Sequence, residues 1–568
     1  MGRQLWLVPS LLLALLLIVP VLAGLLWTIL PAFGYFPALG RTQLSWQPWL
    51  DLWQAPGVWP ALQVSLLSTA LSSLLALFWA LLLLAYAWQS RALRWLRFSL
   101  ASVLSVPHAA FAIGLLLLLA PSGWLVRLLS PWLTGWQLPP TWSWVGDPWG
   151  LSLAWVLSLK EIPFLLFMAF SALSRLPLDA SLRLGRSLGY SDARIWWLIL
   201  LPQLLPMLRL PMLAVIAYGI AVVDLAIIVG PSTPPSLAVL LDRWLLHPDL
   251  HWRLPASSGA LLLLLLSILL FSGWLMLEKA LRAVWLCQAM RGNRGSESWL
   301  ARRLLAASAW GLLVLTLAIL LVMLVWSFAQ RWPFEAALPV SWTQRHWQTA
   351  AHYLAQPLWH SLLLAGLSAF IGLVWVVLCL EAEQQHGWAR AWRRPLLALL
   401  FLPLILPQMS FLFGVQWLLV LLDWDGQLLA VLWGHLLFVV PYLLLTLSGP
   451  YRHFDQRLYQ QALLLSGSKA RALLWVKWPL LARPFCYVLA IAFAVSIAQF
   501  LSTRYLGAGR IATLTTEAVA MASGGDRRAM AVYGLWQWAL PALVYGLMLF
   551  LPWWCFRHRP LMQLDGRS

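Results

Sequence analysis

Apolar residues in this chain are gathered into long runs, and short gaps rich in Arg, Pro and Gly separate the runs. A hydrocarbon core of about 30 Å is crossed by a helix of ~20 such residues. Twelve runs meet that length, centred near Val21, Ser73, Ala109, Ser158, Ala217, Leu265, Ala318, Leu373, Ile405, Leu437, Ala494 and Leu547. The first, from Leu5 to Leu30, exceeds the roughly 7–15 residues of a signal-peptide core and is read as an uncleaved span. The pattern predicts an all-α polytopic membrane protein with about 12 transmembrane helices. No gap is long enough for a folded extramembrane domain of typical size, so any chemistry belongs within the membrane or on a separate subunit.

Composition sharpens this picture. Of 568 residues, 62% are hydrophobic and 10% charged, against roughly 45–50% and ~25% in soluble domains. Too few polar side chains exist to cover a water-soluble globule. The net charge of +19, from 38 Lys+Arg against 19 Asp+Glu, would suggest nucleic acid in a soluble chain. Here the basic residues sit in the gaps, and membrane orientation accounts for them without nucleic acid. With a cytoplasmic N-terminus, ten arginines fall in outer gaps; apart from Lys160, inside a span, the remaining basic residues fall on the cytoplasmic side. The positive-inside rule then places both termini in the cytoplasm. Pairs such as Arg302-Arg303 and Arg393-Arg394 also suit lipid headgroups, and the 41 tryptophans suit membrane interfaces. Cys287, Cys379, Cys486 and Cys555 show no CxxC spacing, so neither a disulfide framework nor a metal site is expected.

The runs repeat. Pro107-His-Ala-Ala-Phe111-Ala-Ile-Gly114 and Pro407-Gln-Met-Ser-Phe411-Leu-Phe-Gly414 share P-x3-F-x2-G. Ser65-Leu66-Leu67 matches Ser361-Leu362-Leu363, and Pro163-Phe164-Leu165 matches Pro441-Tyr442-Leu443. Two six-span halves, 1–278 and 305–568, are expected around a basic cytoplasmic linker, 279–304. An even number of spans per half makes the repeat parallel, with a pseudo-twofold axis along the membrane normal and a pathway between the halves.

Each half carries an amphipathic gap before its fifth span, 175–202 and 449–479. Arg183, Gly185, Arg186, Leu188, Gly189, Ser191, Arg194 and Pro202 align at one constant offset with Gln460, Ala462, Leu463, Leu465, Ser466, Ser468, Arg471 and Pro479, with Gly467 beside the turn. Two short helices hinged at small residues are expected, lying at the membrane surface, with a proline opening the next span. These paired segments resemble the EAA loop (E-A-A-x3-G, then L-P) of permease subunits in binding-protein-dependent ABC importers. The fused twelve-span arrangement is similar to that of ferric-iron and thiamine importers. Arg183 and Gln460 stand where the family has glutamate, and Ser466 stands for the glycine in the second copy. An acidic-aromatic pair followed by Thr-Leu, frequent in the family's fifth span, is partly matched by Asp224-Leu225 before Ser236-Leu237 and by Gln499-Phe500 before Thr513-Leu514. The resemblance implies that both loops dock on a separate ATPase dimer at the cytoplasmic face. It further implies that a periplasmic or extracellular binding protein delivers the substrate.

The chain has four lysines, none in a G-x4-G-K-[ST] phosphate loop, so ATP hydrolysis is expected elsewhere and no cofactor is expected here. An acidic or basic residue in a span costs roughly 2.5–3.5 kcal/mol to insert, so Lys160, Glu161 and Asp224 need partners or water. Glu161, Asp224 and Gln499 are the candidate pathway residues, with structural hydrogen bonding between helices as the other reading of Asp224. His435 is expected to pack rather than bind metal. An ion-coupled secondary transporter is the alternative function, though it calls for more midplane ionisable groups than these.

Overall fold

The computed structural model describes residues 8–87, 106–292, 299–386, 399–555 and 557. Its main helices in the first part of the chain are α1 (Val8–Ala32), α2 (Val58–Ala87), α3 (His108–Leu119), α4 (Leu151–Leu173), α5 (Leu178–Ser187), α6 (Asp192–Ile195), α7 (Arg209–Ala221), α8 (Asp224–Val229), α9 (Leu237–Leu245) and α10 (Arg253–Met290). In the second part they are α11 (Trp299–Phe328), α12 (Arg345–His386), α13 (Met409–Leu421), α14 (Leu428–Arg452), α15 (Gln456–Ser466), α16 (Lys469–Ala472), α17 (Ala482–Ile497), α18 (Leu501–Leu506), α19 (Leu514–Ser523) and α20 (Arg527–Cys555). The strands Ala329–Arg331 and Ser341–Trp342 form a small antiparallel hairpin.

Among the described residues, ten helical stretches are long and apolar enough to cross a membrane, or eleven if Lys469–Leu480 and Ala482–Ile497, bent by 72°, count as one span. The protein is all-α and polytopic, but the expected run near Ile405 is not a continuous helix. One turn, Leu402–Ile405, ends at Leu406 with ψ 139, and α13 starts beyond Pro407. A residue preceding proline is pushed out of the helical region by the ring, which breaks the run there. The run near Ala109 is helical from His108, with Pro107 as its N-cap; the upstream residues 88–105 lie outside the described residues. The expected linker is helical at both ends, because α10 continues to Met290 and α11 begins at Trp299. Residues 293–298 between them lie outside the described residues.

The repeated motifs occupy matching places. In P-x3-F-x2-G, Phe111 and Phe411 are fully buried, and each glycine is the seat of a crossing helix. Gly414 on α13 lies so close to α1 that an added Cβ would stand 1.9 Å from the Gly24 carbonyl oxygen. Gly114 on α3 faces α11, where an added Cβ would meet Ile319 Cγ2 at 2.2 Å. Each early span thus crosses the motif helix of the other part of the chain. The repeated serines serve alike: Ser65 Oγ accepts from the Leu237 amide and Ser361 Oγ from the Leu514 amide, both at 2.8 Å. Each satisfies a free N–H in the first turn of α9 or α19, where a helix has no internal acceptor.

Candidate functional site

The two amphipathic gaps fold alike. In the first, α5 and α6 meet at Gly189 (φ +78), and in the second α15 and α16 meet at Gly467 (φ +62). Left-handed backbone favours glycine. The alignment placed Ser466 at the turn; instead the turn falls one residue later, on Gly467, and Ser466 ends α15. Beyond each short helix comes a π-helical turn, Trp196–Leu200 and Leu473–Lys477, just before Pro202 and Pro479. A proline has no N–H for the carbonyl four residues back and clashes with it, and a widened turn accommodates both effects.

Gly185 is buried because α5 lies against Ile195; an added Cβ would stand 2.5 Å from Ile195 Cγ1. The equivalent pair in the second loop is Ala462 with Ala472, both buried, so one loop packs glycine against isoleucine and the other alanine against alanine. We expect Gly185→Val to cost about 1–3 kcal/mol by overpacking. Adding Ile195→Ala should recover most of that loss in a thermal-unfolding measurement on the purified chain. Equal losses with and without Ile195→Ala would remove this explanation of the small residue.

The remaining loop residues divide into those held by the protein and those presented outward. Arg186 is ion-paired with Asp192 through two 2.9 Å bonds, and its side chain stays more than half exposed. Ser191 Oγ accepts from the Arg194 amide at 3.4 Å. Arg194 Nη1 and Trp197 Nε1 donate to Gln288 Oε1 on α10, at 3.1 and 2.8 Å. Ser468 is half-buried at the N-cap of α16. Arg183, Gln460 and Arg471 are exposed. At one aligned position both loops present a leucine to the outside, Leu188 at 54% and Leu465 at 90% exposure.

A second polar anchor went unnoticed in the sequence. Lys477, fully buried in the π-turn of the second loop, donates to Glu381 Oε2 and Gln384 Oε1 on α12. Tyr451 Oη donates to the same Glu381 oxygen at 2.6 Å. The available signal was Glu381, beside Glu383 at the end of one apolar run, and Lys477 within another.

Glu161, Asp224 and Gln499 all line one cavity of about 260 Å³ between helices of the two parts of the chain. Glu161 comes from the middle of α4. Asp224 is placed by a break: α7 ends at Ala221, Val222 is extended (ψ 129), and α8 starts at Asp224. The matching break separates α17 from α18 at Gln499-Phe500. Counting from these helix starts, Leu501 stands where Asp224 does, and Gln499 matches Val222. The two polar residues therefore share the cavity without being equivalents, contrary to the pairing expected from sequence. Lys160 turns its Nζ to the Val106 carbonyl. The cavity also holds His108, Tyr218, Gln408 and Tyr442, which the sequence did not single out. His108 and Gln408 follow the motif prolines Pro107 and Pro407, a repeat position that was the available signal. His435 packs as expected, with Nδ1 2.7 Å from Ser496 Oγ and Nε2 3.0 Å from Thr503 Oγ1.

Toward the loops the cavity shares Tyr442, Thr446, Tyr487 and other walls with a chamber of about 1150 Å³, edged by Arg175, Arg452, His453 and Arg483. At the opposite end, past the breaks, α9 meets α18. Arg504 Nε and Nη2 donate to the two carboxylate oxygens of Asp242 at 3.1 and 2.9 Å, and Tyr505 Oη donates to Oδ1 at 3.1 Å. Burial pushes the Asp242 carboxyl up, against the pull of Arg504 and Tyr505. The space between the two parts is thus wide near the loops, and at the far end the Asp242–Arg504 ion pair joins α9 to α18.

No family model matches the chain. Over 538 residues it is 34% identical to the inner membrane ABC transporter permease protein YnjC of Escherichia coli (strain K12), covering 93% of this chain and 96% of that protein. A cavity between helices that carry the repeated motifs, two matching loops and near full-length similarity agree: the chain belongs to the ABC transporter permeases of the inner membrane.

Proposed function

We propose that this chain is the whole membrane-spanning part of an importer, with both halves of the pathway fused in one polypeptide. In this reading, spans in 1–278 and 305–568 form two parallel bundles joined by the 279–304 linker, and both termini and both loops face the cytoplasm. Each loop docks on one subunit of an ATPase dimer. A periplasmic binding protein delivers substrate at the Asp242–Arg504 end. The wide chamber near the loops then makes this an inward-facing arrangement, and Glu161, Asp224 and Gln499 line the route. The fused organisation keeps the chain within the resemblance to ferric-iron and thiamine importers.

The observation that carries the reading is the duplicated hinge with its matched outward leucines, Leu188 and Leu465. Apolar side chains held outward at a turn gain when a partner groove covers them, ~25 cal/mol for each Å² removed from water. Native mass spectrometry of the complex with its ATPase is expected to show one permease chain with two ATPase chains. Leu188→Asp or Leu465→Asp should each release one ATPase, and the double variant both. Two permease chains per ATPase pair, or full assembly of the double variant, would overturn the reading.

A further inference from the structure

Among the described residues three Lys and Arg side chains are buried: Arg127, Lys160 and Lys477. Lys477 meets Glu381, and Lys160 lies within the field of Glu161. Arg127, 6% exposed, has no such match; the charge that bears on it is another cation, Arg527. Among the described residues neither arginine forms an ion pair with a carboxylate. Both guanidiniums donate to one oxygen, the Ser122 carbonyl, from Arg127 Nε at 3.0 Å and from Arg527 Nη1 at 3.2 Å. Both also lie over the Trp326 ring, 5.5 and 5.7 Å from its centre. Arg127 Nη1 donates further to the Trp332 and Pro333 carbonyls at 3.0 and 2.5 Å, and Arg527 Nη1 to Ser122 Oγ at 2.6 Å. Arg127 Nη2 and the Nε and Nη2 of Arg527 make no hydrogen bond. None of these three atoms is fully enclosed, so they open to the surface.

Carbonyl dipoles and ring faces offset part of the cost of burying a cation. They carry no net charge, and two like charges side by side add repulsion to that cost. An anion on the unused N–H groups would offset both. Depth says which kind. Arg127 lies in the last turn of the apolar stretch His108–Leu129, Trp326 in the last turn of Ala306–Phe328, and Arg527 opens Arg527–Cys555. The other end of α20 reaches the chamber near the loops through Pro552 and Trp553. The two arginines and Trp326 therefore sit where three spans leave the hydrocarbon at the surface away from the loops, the level of lipid headgroups. On the short helix Trp124–Leu129, Leu125 and Leu128 are exposed, so apolar surface runs up to that level. A guanidinium fork matches the oxygens of a phosphate. We propose that Arg127 and Arg527 form a phosphate site at this surface, filled by a phospholipid headgroup or by free phosphate. It is independent of the cavity and of what is transported.

The test uses the full chain purified in a nonionic detergent, with dihexanoyl phosphatidylglycerol, dihexanoylglycerol and inorganic phosphate as probes. A ligand that binds the folded chain raises its thermal-unfolding midpoint, and the rise with concentration at constant ionic strength gives an apparent Kd. Phosphatidylglycerol should bind the parent at least tenfold more tightly than dihexanoylglycerol does, a comparison that needs no variant. Arg527→Gln, at a half-buried position, should lose that preference, and Arg527→Lys, which keeps the charge without the fork, should retain part of it. Inorganic phosphate that displaces the lipid assigns the site to phosphate from either source; lipid that stays bound against it assigns the headgroup. No preference over dihexanoylglycerol in the parent, or the same preference in Arg527→Gln, would overturn the site. Binding of a poly-glutamate peptide in place of both phosphate probes would overturn it in favour of an acidic protein partner.

Discussion

Replacing Gly414 with alanine is expected to be among the most damaging single-methyl changes in this protein. The new Cβ would lie 1.9 Å from the Gly24 carbonyl oxygen, and the Thr28 amide nitrogen is 2.9 Å away. Both obstacles are backbone, so no rotamer change relieves them; α1 would have to move away from α13. Overpacking with some freedom to adjust costs about 1–3 kcal/mol, and this case should reach or pass the upper figure. Gly114→Ala is the internal comparison, because its obstacle is a side chain, Ile319 Cγ2 at 2.2 Å. Ile319→Ala should therefore rescue Gly114→Ala, whereas no truncation on α1 should rescue Gly414→Ala. Thermal unfolding of the four purified variants decides this, and a Gly414→Ala protein as stable as the parent would refute the close crossing of α1 and α13.

The second large effect is expected at Asp242. Its carboxylate is buried, while the Arg504 side chain that pairs with it is 35% exposed. Removing one member of a buried pair costs about 3–5 kcal/mol, because the other charge stays in place unpaired. Partial exposure of Arg504 puts Arg504→Ala near the lower end of that range. Arg504→Lys should restore part of the loss, since lysine keeps the charge without the two-pronged geometry. Tyr505→Phe should cost only about 0.5–1.5 kcal/mol, as for a single hydrogen bond. The pH dependence has a definite sign. Burial already holds the Asp242 carboxyl above its ordinary value of 3.8, and without Arg504 it rises further. The folded variant then binds a proton that the unfolded chain does not. Its deficit against the parent should be full at pH above the raised value and shrink as pH falls through it. Unfolding free energies across pH for both proteins measure this. A deficit that grows on acidification would contradict the assignment.

The sequence was informative wherever a local rule decides the outcome. Long apolar runs select helices because lipid leaves backbone groups no other partner, and this specified an all-α membrane protein. The hinged loops were legible because their glycines, prolines and small residues act within a few positions of one another. The P-x3-F-x2-G repeat was equally visible, but its glycine took on meaning only in three dimensions, where α1 crosses Gly414 and α11 crosses Gly114. Relations between distant residues were decided by the tertiary structure. It set Arg504 opposite Asp242 and Lys477 opposite Glu381, and gave Arg186 to Asp192. The helix breaks pair Asp224 with Leu501 and Val222 with Gln499, and that register was already in the sequence, at the same offset that aligns the two loops. A charge in an apolar run shows that a partner or water must be near, since burying it alone costs too much. Which partner it meets depends on how helices far apart in the chain pack together, and one-dimensional periodicity carries no record of that packing.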